Sequence, residues 1–200
     1  MNQILEVRKN KSVYLIQLYI SIIVIVIAIL FFAIYKININ NKEKTSKGIL
    51  NNYSLSKLYS NSKDYYNQNS QYDVIGIIEI PKLNISYPIF SNISDDLLKI
   101  SPCRFFGTMP YSISNLCIAG HNYNNDKFFS NIKQLNLNDS IYIYNNSMKK
   151  FKYVVINNYE VENNDLSPIY DNTIDTPLLT LITCNNSNNR RIVIKAKIEN

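Results

Sequence analysis

Three kinds of side chain that together can transfer an acyl group each stand at one end of an apolar run in this sequence. Cys184 ends the run at residues 178–184, and His121, the single histidine, follows the run at residues 116–119. Arg190 and Arg191 begin the last apolar run, six and seven residues after Cys184. A cysteine attacks as its thiolate, a histidine exchanges protons near neutral pH, and a guanidinium can hold an oxyanion. The combination predicts covalent catalysis by cysteine.

Each of these residues also has a purely structural interpretation. Cys184 can be a small buried core residue, and His121 can lie in the core or at the surface with its polar groups satisfied. Arg190 and Arg191 can simply begin a strand at the surface. The catalytic hypothesis therefore depends on the combination of residues. Because a strand follows it, Arg191 is preferred over Arg190 as the oxyanion stabiliser.

The candidate residues are distributed over a pattern of many short strands. Short apolar or alternating runs separated by turn residues begin at residue 73, which is typical of a β-barrel or a β-sandwich. Strands are predicted at residues 74–80, 85–90, 116–119, 140–144, 151–161, 178–183 and 191–198. Two short helices are predicted at residues 95–100 and 126–135, the second from the helical spacing of its apolar residues.

An uncharged apolar segment precedes this domain. Residues 13–35 form a run of 23 residues, long enough as a helix for the roughly 30 Å hydrocarbon core of a bilayer. No small-residue cleavage site follows the run, so an uncleaved signal anchor is preferred over a signal peptide. Basic residues flank both ends, so the positive-inside rule does not decide the orientation. We expect the N-terminus inside, because the first twelve residues are too few to form a domain.

The predicted organisation is thus a short cytoplasmic tail at residues 1–12, a transmembrane anchor at 13–35, a polar stalk at 36–72 and a folded domain at 73–200. The stalk is expected to hold at most one short helix that packs on the domain. The expected location is the cell membrane, crossed once, with the folded domain outside the cell.

Composition and charge exclude some functions and leave others open. The formal net charge is +6 and the basic residues are scattered, so a nucleic-acid surface is not predicted. Cys103 and Cys117 can be two reduced thiols or a disulfide, and both readings stay open. Acidic residues such as Glu79 and Asp95 form no recognisable Ca²⁺-binding spacing, so no metal or other cofactor is predicted, although Ca²⁺ is not excluded.

Several blocks of this sequence resemble the sortase family. The block TLITC at residues 180–184 is similar to the family's TLxTC signature, and IAGHN at 118–122 resembles its active-site histidine segment. The block RIVI at 191–194 resembles the arginine that enters the final strand, and IGIIEIPKL at 75–83 is similar to the first barrel strand. The resemblance extends over residues 74–198, and an N-terminal membrane anchor agrees with it.

The resemblance implies an all-β fold, an eight-stranded barrel with a few short helices, behind one transmembrane helix. It implies a Gram-positive cell-wall enzyme that cleaves an LPxTG-like sorting signal of a secreted protein between Thr and Gly. Cys184 would be the nucleophile, His121 the acid and base, and Arg191 the oxyanion stabiliser. The thioacyl enzyme would then transfer its cargo to an amine of a peptidoglycan precursor or a pilin lysine. Thr183 and Asn122 are the candidate substrate-binding residues.

Class and chemistry leave alternatives. The compact, N-terminally anchored layout is most similar to class D sortases, with class B as the alternative. A cysteine peptidase that only hydrolyses its substrate, and a non-catalytic membrane-anchored binding domain, are the alternative functions. The preferred sorting motif, the acceptor and the oligomeric state are not encoded in any pattern recognised in the sequence.

Overall fold

The computed structural model describes residues 2–58, 72–109, 114–170 and 176–199. The chain forms two compact units, Met1–Asn41 and Lys42–Asn200. One helix, α1 (Asn2–Leu58), begins in the first unit and ends in the second.

Within α1, the stretch that begins at Val13 is long and apolar enough to cross a membrane by length and composition, with a mean hydropathy of 3.0. The side chains of residues 13–38 are all exposed, as a lipid-facing helix requires. The helix continues well past residue 35, where the predicted anchor ends, through most of the predicted stalk. Each added helical residue gains a hydrogen bond once a helix has been nucleated, so the apolar segment can extend its helix into polar sequence. The rest of the predicted stalk, residues 59–71, lies outside the described residues.

Within the second unit, the last turns of α1 lie against the folded domain. The Lys47 ammonium donates to the carbonyl oxygen of Ser86 at 2.7 Å and lies 4.4 Å from the centroid of the Tyr87 ring. Glu43 forms an ion pair with Lys127. This part of the predicted stalk is therefore a helix held to the domain by polar and cation–π contacts.

Eight strands close into a barrel in the order β1-β2-β3-β4-β7-β8-β6-β5, as the resemblance predicted. The strands are β1 (Val74–Ile80), β2 (Ile85–Phe90), β3 (Cys103–Phe106), β4 (Asn115–Ala119), β5 (Ser140–Asn145), β6 (Lys150–Glu162), β7 (Leu178–Asn185) and β8 (Arg190–Ile198). Two short helices, α2 (Asp95–Leu98) and α3 (Ser167–Tyr170), and 3-10 turns at Pro81–Leu83 and Ile132–Gln134 connect them.

One parallel pair decides where the ends of two strands meet. Strands β4 and β7 run parallel, with Ala119 beside Ile182, and β8 returns antiparallel to β7. Closure of the barrel leaves no free sheet edge, and the parallel pair brings the carboxyl ends of β4 and β7 to the same rim.

The core follows the two-residue period of the strands. In β5 every second side chain is buried, including Ile141 and Ile143. Strand β7 is buried on both faces until Cys184, which is exposed. Solvent therefore reaches the side chain of Cys184, whereas the six strand residues before it are buried.

The helix predicted at residues 126–135 is wrong. The segment is a loop that ends in the 3-10 turn Ile132–Gln134, and Phe128 adopts a left-handed φ of 51°. Its apolar residues are nevertheless buried, namely Phe128, Phe129, Ile132 and Leu135. The apolar spacing therefore predicted correctly which side chains are buried. It did not predict the backbone, because these side chains reach the core from a loop. Strand β3 was not predicted. It is only four residues long, so its sequence carries almost no periodic signal.

Candidate active site

Cys184 lies near the end of β7, and its backbone is paired with β8. Its Cα is the register partner of Arg191 in the antiparallel β7–β8 pair. The side chain is exposed, whereas the preceding residues Ile182 and Thr183 are buried. A rigid strand thus presents an accessible thiol, which a nucleophile requires.

His121 lies two residues beyond the end of β4, at the same rim. Its half-buried ring contacts the ring of Tyr123, with the centroids 4.2 Å apart and an interplanar angle of 47°. The Tyr123 hydroxyl in turn donates to the carbonyl oxygen of Lys99 at 3.3 Å. The loop after β4 therefore supplies an aromatic wall against which the imidazole rests.

The surroundings of His121 favour its neutral form. Burial lowers the pKa of His121 below its ordinary value, and the nearby charges of Lys42 and Lys99 lower it further. Asp95 opposes them with a smaller effect. Withdrawing the imidazolium from water and placing it near two ammonium groups both disfavour the charged ring.

Arg191 is the second residue of β8, and its Nε donates to the carbonyl oxygen of Asn163 at 2.7 Å. Its neighbour Arg190 instead lies 3.4 Å from the Glu162 carboxylate and donates to the carbonyl oxygen of Glu160 at 3.3 Å. Successive side chains of a strand point to opposite faces, so the two arginines have different surroundings.

One cleft of about 340 Å³ joins these residues. It is lined by Asp95, Leu98, Lys99, Ala119, Gly120, His121, Ile182, Thr183, Cys184 and Arg191. The thiol, the imidazole and the guanidinium that the sequence singled out therefore border the same space, and Arg190 is not among the lining residues. Asp95 and Leu98 of α2, together with Lys99 just after it, form a side of the cleft that sequence reasoning missed, because nothing in a short polar helix points to a site.

Thr183 and Asn122 make internal hydrogen bonds. The Thr183 hydroxyl is buried and donates to the carbonyl oxygen of Gly120 at 2.8 Å. The Asn122 side-chain amide donates to the carbonyl oxygen of Cys184 at 2.8 Å. Thr183 lines the cleft and Asn122 does not. Their contact with substrate stays a prediction, while their contact with the protein backbone is direct.

The other cysteines lie in the core. Cys103 and Cys117 are free thiols with no exposed surface, so the structure contains no disulfide between them. Within the described ranges, no three His, Cys, Asp or Glu side chains are grouped closely enough to hold a metal ion.

Tyr123 is a functional candidate that the sequence could have indicated, since it is the aromatic residue of the polar segment 122–127 that follows His121.

Solved structures share this barrel. The Sortase D5 transpeptidase of Clostridium perfringens is 25% identical, covers 79% of this chain and 100% of its own, and superposes with a TM-score of 0.66. Sortase C of Clostridium perfringens with the C-terminal cell wall sorting motif is 24% identical, with 84% and 97% covered and a TM-score of 0.58. Sortase A of Corynebacterium diphtheriae is 20% identical, with 84% and 85% covered and a TM-score of 0.60.

The first of these structures is of class D, which is consistent with the class that the sequence resembles. The comparison with curated proteins returned no significant match. Residues 78–199, well over half of the chain, match the family model described as Sortase domain. The chain therefore belongs to the sortase family of cysteine transpeptidases.

Proposed function

We propose that this sortase cleaves an LPxTG-like sorting signal at the C-terminus of a secreted protein, between Thr and Gly, and transfers the new C-terminus to an amine. The observation that carries the proposal is the cleft that Cys184, His121 and Arg191 border together. The structure of sortase C from Clostridium perfringens with a C-terminal cell wall sorting motif supports a substrate of this class.

In the first half of the reaction the Cys184 thiolate attacks the carbonyl carbon of the substrate threonine, and a carbon–sulfur bond forms. The carbonyl oxygen takes up negative charge, which the Arg191 guanidinium stabilises. When the carbon–nitrogen bond breaks, protonated His121 gives its proton to the leaving amine of glycine. Because the pKa of His121 is lowered, its imidazolium is a stronger acid and gives up this proton more readily.

In the second half an amine attacks the thioacyl carbon, and neutral His121 accepts the proton that the amine loses. The carbon–sulfur bond breaks and the Cys184 thiolate is restored. Two moderate barriers replace the single high barrier of direct amide exchange. The same intermediate would be hydrolysed if water attacked in place of the amine, so the acceptor distinguishes transfer from peptidase activity.

The acceptor that we propose is an amine of a peptidoglycan precursor or a pilin lysine. The apolar part of α1 would hold the enzyme in the cell membrane as a single-pass anchor, with the barrel on the outer side. The length and composition of α1 support an anchor. This location would give the enzyme both a membrane-bound precursor and a substrate that is leaving the cell.

The direct test uses the full chain in detergent and an LPxTG peptide, with and without triglycine. Transfer predicts a new amide product with triglycine and a trapped acyl adduct on Cys184 by mass spectrometry. Each of Cys184→Ala, His121→Ala and Arg191→Ala should lose the product while keeping the circular dichroism spectrum of the barrel. Hydrolysis alone in the presence of triglycine would favour a peptidase. Unchanged activity in Cys184→Ala would exclude covalent catalysis by this thiol.

A further inference from the structure

The segments that carry His121 and Cys184 are joined by hydrogen bonds beyond the end of their strand pairing. The last register pair of β4 and β7 is Ala119 with Ile182. Past that pair the Gly120 amide donates to the carbonyl oxygen of Ile182 at 3.0 Å, and the Thr183 hydroxyl donates to the carbonyl oxygen of Gly120 at 2.8 Å. The main chain just before the imidazole is thus tied to the strand of the thiol.

Asn122 makes the corresponding connection on the other side of His121. Its side-chain amide donates to the carbonyl oxygen of Cys184 at 2.8 Å. Its own carbonyl oxygen accepts from the side-chain amide of Asn186 at 3.1 Å. The chain on each side of His121 is therefore bonded to residues of the segment 182–186.

The Asn122 side chain is also fixed in orientation. Its Oδ1 accepts from the backbone amide of Asn124 at 2.9 Å, so the Nδ2 group must point the other way, toward Cys184. Asn186 adds a second bond to this loop, from its side-chain amide to Oδ1 of Asn124 at 3.1 Å. Both polar atoms of the Asn122 amide are hydrogen-bonded within the protein, so the side chain is held in one orientation.

We propose that Asn122 is a positioning residue, whose hydrogen bond to the carbonyl of Cys184 sets the separation between the imidazole and the thiol. The inference rests on the proposed function, because it assigns Asn122 a role in the same acyl transfer. His121 and Cys184 are 63 residues apart in sequence. Their relative position depends on such cross-links, and an error of about 1 Å in a reacting pair can cost on the order of 10²-fold in rate.

The kinetic test compares Asn122→Ala and Asn122→Asp with the native chain. Alanine removes the whole amide group, whereas aspartate retains the acceptor for Asn124 and replaces only the donor that faces Cys184. In both variants kcat should fall about 10- to 100-fold while KM changes less than about twofold, because substrate contacts are retained. Asn136→Ala, an exposed asparagine outside the cleft lining, is the matched control and should retain the native kcat.

A second measurement separates positioning from a general loss of stability. The chain has one histidine, so NMR reports the titration of His121 without overlap. Removing the thiol in Cys184→Ala should shift the pKa of His121 in the native background, and this shift should shrink in the Asn122→Ala background. An equal shift in the two backgrounds, or no shift in either, would overturn the proposal.

The two proposals fail in different ways. If the native chain forms the triglycine amide and the Asn122 variants retain kcat, the positioning role is wrong and the proposed function stands. If the native chain forms no acyl product with any peptide, the proposed function fails. The NMR experiment then still decides the role of Asn122, because the shift in the pKa of His121 on removal of the Cys184 thiol can be measured without turnover.

Discussion

Cys184 and Arg191 are directly opposite each other on the antiparallel strands β7 and β8. Opposite residues of an antiparallel pair project from the same face of the sheet, with Cβ atoms about 4.5–5.5 Å apart. Only six residues separate them in the chain, and the connection between the strands is the short turn at residues 186–189. Backbone pairing therefore places the first atoms of the Cys184 and Arg191 side chains next to each other before any substrate binds, and both residues line the cleft.

Replacing Arg191 should lower the rate of acyl transfer. Loss of a group that stabilises an oxyanion costs about 10²- to 10³-fold in kcat, and we expect a loss of this size for Arg191→Ala. Arg191→Lys should recover only part of it, because an ammonium lacks the planar pair of donors of the guanidinium. The measurement is steady-state transfer of an LPxTG peptide to triglycine.

Arg190→Ala is the control for this experiment. Arg190 contacts Glu160 and Glu162 and does not line the cleft, so its loss should change kcat by less than about twofold. If instead the Arg190 variant loses activity and the Arg191 variant retains it, the oxyanion role must be moved to Arg190.

Thiol labelling should distinguish Cys184 from the other two cysteines. Cys184 is exposed, whereas Cys103 and Cys117 are fully buried, and burial raises their pKa to about 12 and about 11. Only the thiolate is alkylated, so iodoacetamide should add one group to the native chain and three in denaturant. Cys184→Ala should take up none in its folded form. A native chain that takes up two or more groups would show that a core cysteine is accessible.

The sequence predicted the barrel, and three residues that line its cleft, better than it predicted the hydrogen bonds between the loops. Cys184 and His121 could be identified from the sequence alone, because each is a polar or reactive residue at the end of an apolar run. The hydrogen bonds of Thr183 and Asn122 could not be found, since they depend on the parallel register of β4 and β7. Register is a long-range property that no local pattern encodes.

Two other differences have local causes. The segment 126–135 has helical spacing, but spacing reports which side chains are buried, and a loop with Phe128 in a left-handed conformation buries the same set. The helix that continues through residue 58 crosses polar, Asn-rich sequence of modest helix propensity. Its continuation comes from the preceding helical turns and from contacts such as that between Lys47 and Ser86.

His121 should titrate below its ordinary pKa of 6.5, and Lys99→Met should raise that pKa toward it. Burial is the main cause of the lowered value, followed by Lys42 and Lys99, so removing one ammonium relieves only part of the effect. NMR titration of the single imidazole gives both values. Lys150→Met should leave the pKa unchanged, since Lys150 lies over the rings of Tyr142 and Tyr144.

The same lowered pKa has a consequence for stability. The unfolded chain binds a proton on His121 at a higher pH than the folded chain does, so protonation favours unfolding. The contribution of neutral His121 to stability is fully present above pH 6.5 and is lost as the pH falls through the folded pKa. In His121→Gln, the free energy of unfolding should depend less on pH in that window. A native chain that gains stability on acidification there would contradict the assignment.

Gly120→Ala should destabilise the barrel next to the site. A methyl group at Gly120 would overlap the ring of Phe129, which is fully buried and cannot move aside freely. Overpacking of this kind costs about 1–3 kcal/mol, and the shift should also disturb His121, the next residue. Thermal unfolding followed by circular dichroism gives the loss of stability, and kcat gives the effect on the site.

Gly48→Ala is the matched control, because the same change in α1 meets no atom within 4 Å. Alanine has the higher helix propensity, so this variant should gain about 0.5–1 kcal/mol and retain its activity. The two substitutions are chemically identical and differ only in surroundings, so opposite signs would assign the Gly120 effect to contact with Phe129. Equal midpoints for Gly120→Ala and the native chain would mean that the ring of Phe129 can shift, and the close packing behind His121 would then lose its role in holding the site.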